Sequence, residues 1–263
     1  MKFRKLLRSL ALLCLSAIVG CQPSRDDSVL RVGMELAYPP FEMRDASGEP
    51  SGISVELARG LGAFLGKEVV IENLAFDGLI PSLKTGKIDL IISSMTATPK
   101  RAESIDFSEP YLRTGLCLLV AKESDIHSFD ELVQGDGNVA VKNGTTGHQS
   151  AVDHFPANRI LVLDSESSCV LEVVQGKAQA FIYDQMSTYK NWQRHQETTR
   201  AILEPYQSEA WAVGVRKGRP ELLSAVNKFL SSFREEAGFD RLGDEFLGEQ
   251  KAAFAELGVD FYF

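Results

Sequence analysis

Lys87-Ile-Asp-Leu-Ile-Ile-Ser-Ser-Met-Thr-Ala-Thr-Pro-Lys-Arg101 joins a buried-strand signal directly to a helix start. Residues 88–92 are an apolar, β-branched run of the length expected for a strand covered on both faces. Ser93, Ser94, Thr96 and Thr98 then turn the chain polar. Thr98 suits an N-cap, Pro99 suits the first helical position, and Arg101 falls in the first turn. The parts are those of a carboxylate trap. N–H groups point outward at a helix start, and a guanidinium grips a carboxylate with two hydrogen bonds. An ordinary strand–helix junction with a surface arginine would use the same letters, so partners elsewhere in the chain must decide.

Working outward, Val29–Met34 reads as a first strand that runs into Glu35-Leu-Ala-Tyr-Pro-Pro-Phe-Glu42, where two prolines exclude regular structure. Residues 45–52 have the composition of a hairpin turn. Ser54 is placed to cap a helix carrying Leu57, Leu61, Phe64 and Leu65 and stopped by Gly66. Residues 68–74 are strand-like, and Asp77 is placed to cap a helix over 78–85 that closes at Gly86. After Tyr111 a second cycle begins. Strands are expected at 115–121, 138–142, 159–163, 180–183 and 211–216. Helices are expected at 128–133, at 149–155, from a cap at Ser165 or Ser167 to 175, within 185–200, and at 220–236.

This alternation predicts an α/β fold with largely parallel sheets. One echo sharpens it. Gly86-Lys87-Ile-Asp-Leu-Ile-Ile-Ser-Ser94 and Gly176-Lys177-Ala-Gln-Ala-Phe-Ile-Tyr-Asp184 both run from a helix end through an apolar strand to polar side chains at the strand's carboxyl end. Ligands of open α/β sheets bind at that end, so two such units point to two lobes facing one cleft.

The chain has 263 residues, 44% apolar and 24% charged, which fits one large domain or two of ~100–150 residues. Residues 1–20 carry Lys2, Arg4, Lys5 and Arg8 ahead of a short apolar run, and Ile18-Val19-Gly20-Cys21 resembles a bacterial lipobox. A lipoprotein signal peptide over 1–20, lipidation of Cys21 and a polar tether over 21–28 are therefore expected. Loss of 1–20 takes the net charge from −8 to −12, which argues against nucleic acid. Cys117 and Cys169 sit in apolar contexts; buried thiols are the default reading, and an oxidising compartment would also permit a disulfide.

Six pieces in order and spacing carry a family resemblance. They are Leu30-Arg-Val-Gly-Met-Glu-Leu-Ala-Tyr-Pro-Pro-Phe-Glu42, Phe76-Asp-Gly-Leu-Ile-Pro-Ser-Leu83, the segment 86–101, Ile105-Asp-Phe-Ser-Glu-Pro-Tyr111, Gly144-Thr-Thr-Gly147 and Ala212-Val-Gly-Val-Arg-Lys-Gly218. Together they resemble the bacterial extracellular solute-binding proteins of the polar amino-acid type, family 3, which serve ABC importers. The resemblance implies a periplasmic-binding-protein-like fold, with two α/β lobes joined by a two-strand hinge and the ligand in the cleft. Lobe 1 would hold 29–113 plus 212–263, lobe 2 would hold 119–206, and 114–118 with 207–211 would be the hinge. It further implies a monomer without cofactor, held at the cell envelope by its lipid anchor. Such a protein captures a free polar L-amino acid by lobe closure and delivers it to a membrane permease.

The same resemblance assigns the ligand contacts. Arg101 would take the α-carboxylate, helped by backbone N–H groups of Thr96 and Thr146, with Met95 and Thr145 beside them. Asp184 would take the ammonium, with the Thr96 hydroxyl and the Ser94 carbonyl. Asp184 would equally serve as an N-cap for the next helix. Tyr38 and Phe76 would sandwich the ligand's side chain, while Phe41, Tyr206 and Trp211 are weaker candidates. Glu35 would meet the side chain's far end, which leans specificity toward Lys, Arg, His or Gln, since a buried carboxylate wants a cation or donor. His148 either lines the pocket or is a solvated helix-start residue.

Enzyme readings have little support in the letters. The four His residues show no metal-ligand spacing, and neither a nucleophile elbow nor a phosphate loop is present. A periplasmic enzyme on the same fold, such as a cyclohexadienyl dehydratase, is the alternative; Glu35 or His148 would then be the proton donor.

Overall fold

A computed structural model of the protein describes residues 26–258. The chain opens with β1 (Val29–Met34), a hairpin of β2 (Met43–Arg44) and β3 (Pro50–Ser51), α1 (Ile53–Leu65), β4 (Glu68–Asn73), α2 (Leu79–Thr85), β5 (Leu90–Ile91) and the short α3 (Pro99–Ala102). The long β6 (Asp106–Ala121) leads to α4 (Phe129–Gln134), β7 (Val139–Lys142), α5 (Thr146–His154), β8 (Ile160–Leu163), α6 (Glu166–Val174), β9 (Ala180–Asp184) and α7 (Gln185–Arg194). The long β10 (Thr199–Val215) then returns, followed by α8 (Pro220–Glu235) and α9 (Gly238–Leu257).

Eight strands form one sheet in the order β4-β1-β5-β10-β6-β9-β7-β8. The halves β4-β1-β5 and β9-β7-β8 are each parallel, as strand–helix alternation requires. Between them β6 and β10 run antiparallel, because the chain crosses from one half to the other and later returns. Their register breaks between the pairs Leu118↔Ile202 and Leu116↔Gln207, where residues 203–206 bulge out. The crossing is tight. A Cβ on Gly115 would lie 2.6 Å from the Gln207 carbonyl, so only hydrogen fits there.

Each half has its own core on both faces of the sheet. Leu30, Val32 and Met34 pack with Leu57 and Leu61 of α1 and with Val226 and Leu230 of α8. Leu79, Leu83, Ile88 and Ile91 fill the opposite face. In the second half, period-two alternation along β6 sends Leu118 and Val120 to a cluster with Val139, Val141 and Ile182, and sends Leu119 to one with Cys169, Val170 and Phe181. A fully buried Leu or Ile contributes ~1.5–3 kcal/mol, and the first cluster also takes in Met186 and Tyr189 from the second half. Cys117 and Cys169 are free, buried thiols.

Several local expectations need correction. Ser54 lies inside the first turn of α1, whose N-cap is Gly52, and its hydroxyl donates to Glu42 at 2.7 Å. Asp77 does not cap α2, which follows a 3-10 turn over Phe76–Gly78 and starts from Gly78. The Asp77 carboxylate instead accepts a bond from Asn143 Nδ2 across the cleft, at 3.1 Å. β6 and β10 begin well before the apolar runs that announced them, because polar residues such as Arg113 and Gln207 interrupt the apolar signal. The cap at Thr98 forms as read, with its hydroxyl accepting from Arg101 N–H at 3.2 Å, and Ser165 rather than Ser167 caps α6. The last helix packs on α1 and α8, and its buried Phe254 also reaches Tyr189 of α7, with ring centres 5.0 Å apart. Cys21 and the signal segment lie outside the described residues.

Candidate functional site

The carboxyl ends of β1, β5 and β9 and the start of α5 surround one small cavity of about 40 Å³. Gly147 makes this closeness feasible. A Cβ there would come 2.5 Å from the Ile182 carbonyl, so α5 starts in direct contact with β9.

Arg101 and Asp184 enter this cavity from different lobes. The guanidinium donates to the Thr96 carbonyl at 2.7 Å and to the Gly144 carbonyl at 3.0 Å, so it already spans the cleft. Thr96 sits between the bonds Ala97 N–H to Ala210 O and Ala212 N–H to Met95 O. In an antiparallel bridge its own N–H therefore faces away from β10. The N–H of Thr146, at the first position of α5, has no acceptor within its helix. Asp184 caps α7 by accepting from Ser187 N–H at 3.0 Å, and it accepts from the Tyr38 hydroxyl at 2.5 Å. Both bonds fall on Oδ1, which leaves Oδ2 for a cation. Burial raises the carboxyl of Asp184 to about 7, against the pull of the Tyr38 and Ser187 donors. The alternatives of capping and ligand binding are thus compatible in one side chain.

At another wall, Glu35 forms an ion pair with Lys142, the last residue of β7, whose side chain is 5% exposed. The Phe76 ring lies under both cations of the cleft, 5.4 Å from the Arg101 guanidinium carbon and 5.8 Å from Lys142 Nζ. Tyr38 is backed by Phe41, stacked at 5.3 Å, and by the edge of Trp211 at 6.0 Å.

Two further buried acids complete the lining. Glu42 accepts from the hydroxyls of Ser54 at 2.7 Å, Ser94 at 3.0 Å and Ser93 at 3.3 Å. Glu209, from β10, accepts from the Thr96 hydroxyl at 3.0 Å and is also bonded by Thr146. Burial raises its carboxyl, and Arg101 is the cation that holds it back.

Burial raises Glu42 to about 8, more than its three hydroxyl donors can offset. An unfolded chain ionises this group near 4.5, so between that pH and about 8 the folded state binds the extra proton. Stability of the unliganded protein is therefore expected to fall as pH rises through this window, by up to about 1.4 kcal/mol per pH unit from this group. Urea unfolding from pH 5 to 8 should show the decline, and Glu42→Gln should flatten it. An unchanged pH profile in the variant would contradict the assignment.

Of the residues expected at the site, Glu35, Tyr38, Phe76, Ser94, Thr96, Arg101, Thr145, Thr146 and Asp184 all line the cavity. Met95 does not. Its side chain is 1% exposed and packs with Leu79, Leu83 and Ile105, since alternation turns it opposite to Ser94 and Thr96. The Thr96 hydroxyl serves Glu209 rather than standing open for an ammonium. The Thr145 hydroxyl is likewise occupied, donating to Lys142 O at 2.7 Å and capping α5. His148 turns back to accept from Gly144 N–H at 3.3 Å, and Tyr206 stacks on Phe129 at 3.8 Å. Sequence reasoning missed Glu42, Glu209 and Lys142. A lysine closing a wholly apolar strand, Val139-Ala-Val-Lys142, was a readable signal for the last.

The model of the bacterial extracellular solute-binding proteins, family 3, matches residues 30–249. The ABC transporter arginine-binding protein 1 of Escherichia coli (strain K12) is 27% identical over 221 residues, 82% of this chain and 89% of its own. Among solved structures, an ancestral arginine-binding protein bound to glutamine matches with a TM-score of 0.77 at 30% identity, covering 85% of this chain and 99% of that one. The ancestral amino acid-binding protein AncCDT-1, a precursor of cyclohexadienyl dehydratase, matches at 0.75 and 34%, covering 83% and 95%.

Proposed function

The chain belongs to the bacterial extracellular solute-binding proteins, family 3, and we propose that it is the substrate-binding component of an amino-acid ABC importer. In this reading it is a binder and not an enzyme, and it holds a free polar L-amino acid between its lobes. The observation that carries the reading is the pair Arg101 and Asp184, opposite charges presented to one cavity by two lobes. A zwitterion needs just that. Its carboxylate would lie on Arg101 and the N–H groups of Thr96 and Thr146, and its ammonium on Oδ2 of Asp184. Tyr38 and Phe76 would flank the side chain, and Glu35 would face its far end.

Closure would turn about 114–118 and 207–211, between lobe 1 (29–113 plus 212–263) and lobe 2 (119–206). The register break at 203–206 and the tight crossing at Gly115 support this placement. The closed form would dock on a membrane permease. The lipobox-like Val19-Gly20-Cys21 supports a lipoprotein anchored at Cys21 to the envelope by way of a tether over 21–28, with 1–20 removed as signal peptide. The anchored protein would work as a monomer.

A thermal-shift screen of the twenty amino acids tests the reading. Micromolar binding or tighter, ~8 kcal/mol or more, is expected for at least one of them. At a thousandfold excess over Kd that ligand adds ~4 kcal/mol of stability, a rise in Tm on the order of 10 °C. No shift with any amino acid would overturn the proposal.

A further inference from the structure

Glu35 is not a lone acid. Its carboxylate lies against the Lys142 ammonium in an ion pair whose side chains are 16% and 5% exposed. Lys142 has no obvious retreat, because β7 is buried at all four positions and the Lys142 carbonyl is fixed by the Thr145 hydroxyl at 2.7 Å. The wall of the cleft formed by Glu35 and Phe76 is therefore backed by a matched pair of charges, one acceptor group and one donor group side by side.

Resting on the amino-acid-binding reading above, we infer that this pair selects a ligand whose side chain ends in a carboxamide, glutamine or asparagine, over one ending in a full charge. A cationic side chain would bring a second positive group to a carboxylate already paired, in a site where burial magnifies repulsion. An anionic side chain would set two carboxylates against one ammonium. A carboxamide carries no net charge, and its NH2 donates to Glu35, whose own charge Lys142 balances from behind the cavity wall. The Phe76 ring, within 6 Å of both Arg101 and Lys142, gives the aliphatic stem an apolar surface between the two ends of the ligand. The other buried acids do not alter this balance at the far end. Asp184 is committed to Tyr38, the start of α7 and, in the reading above, the ligand's ammonium, Glu42 is held by three serines, and Glu209 by Thr96.

Isothermal titration of the full chain, unfolded and refolded to strip any carried-over ligand, would compare glutamine, asparagine, serine, arginine, lysine and glutamate. Glutamine or asparagine is expected to bind at least tenfold more tightly than the other four. Equal or tighter binding of arginine, lysine, glutamate or serine overturns the inference and leaves amino-acid binding standing. Silence from all twenty amino acids removes the functional reading, and this inference with it. Lys142→Met, which frees Glu35 to act alone, should move the arginine-to-glutamine affinity ratio at least tenfold toward arginine. An unchanged ratio overturns the role of Lys142. Should that variant not fold, Glu35→Gln serves instead. It leaves the Lys142 ammonium unmatched and should move the glutamate-to-glutamine ratio at least tenfold toward glutamate, and an unmoved ratio counts against the pair.

Discussion

Replacement of Arg101 by alanine is expected to weaken amino-acid binding by about 100- to 1000-fold while the chain stays folded. Hydrogen bonds with an ionised partner are worth about 1.5–3 kcal/mol each, and a guanidinium offers a carboxylate two of them. A loss of ~3–4 kcal/mol is two to three decades in Kd. Glu209 adds to the effect. With Arg101 gone, the ligand's carboxylate would approach a buried acid that has lost the cation restraining it. Folding should be spared, since Arg101 stands on a four-residue helix whose N-cap at Thr98 needs only the Arg101 backbone N–H. The two carbonyls that the guanidinium serves, on Thr96 and Gly144, lie on the cleft, where water can replace it. Arg101→Lys keeps the charge and loses the two-pronged grip, so an intermediate loss of about tenfold is expected. Titration calorimetry beside a thermal unfolding curve separates the outcomes. Wild-type affinity in Arg101→Ala would refute the assigned role.

Chemistry carried by a single run of sequence was legible. Residues 87–101 announced a strand, a hydroxyl-rich turn, a capped helix and a guanidinium, and the strand ending at Asp184 announced the complementary charge. Both arrive at one cavity because β5 and β9 run in opposite directions in the two halves of the sheet, so their carboxyl ends face each other. Contacts made only by lobe-to-lobe proximity were not legible. Glu35 was expected to meet the far end of the ligand's side chain, and nothing within its own segment foretold that β7, more than a hundred residues later, would deliver Lys142 to it. Glu209 falls in the expected crossing 207–211 and was not singled out, because only the antiparallel pairing of β6 and β10 carries it to Thr96. Met95 failed for the opposite reason. Proximity in sequence to Ser94 and Thr96 suggested a shared role, yet alternation turned its side chain into the core.

Asp184→Asn is expected to weaken binding by 100-fold or more, and to change how binding depends on pH. An amide keeps the cap on α7, since asparagine is among the best N-cap residues, and it still accepts from Tyr38. What it loses is the negative charge opposite the ligand's ammonium, in a site buried enough for that charge to matter. The wild-type pH profile follows from the same residue. In the unliganded protein the Asp184 carboxyl is raised to about 7 by burial, so below that pH it is mostly protonated. An arriving ammonium favours the ionised form, and binding must then release a proton. Affinity is therefore expected to fall as pH drops below about 7, by up to tenfold or ~1.4 kcal/mol per pH unit, and to level off above it. In Asp184→Asn that slope should flatten, because the titrating group is gone and only the weaker influence of Glu42 and Glu209 remains in the cavity. Calorimetry from pH 5.5 to 8.5 on both proteins measures it. A slope that survives unchanged in the variant would transfer the ammonium site to Glu42 or Glu209, the other buried acids in the cleft.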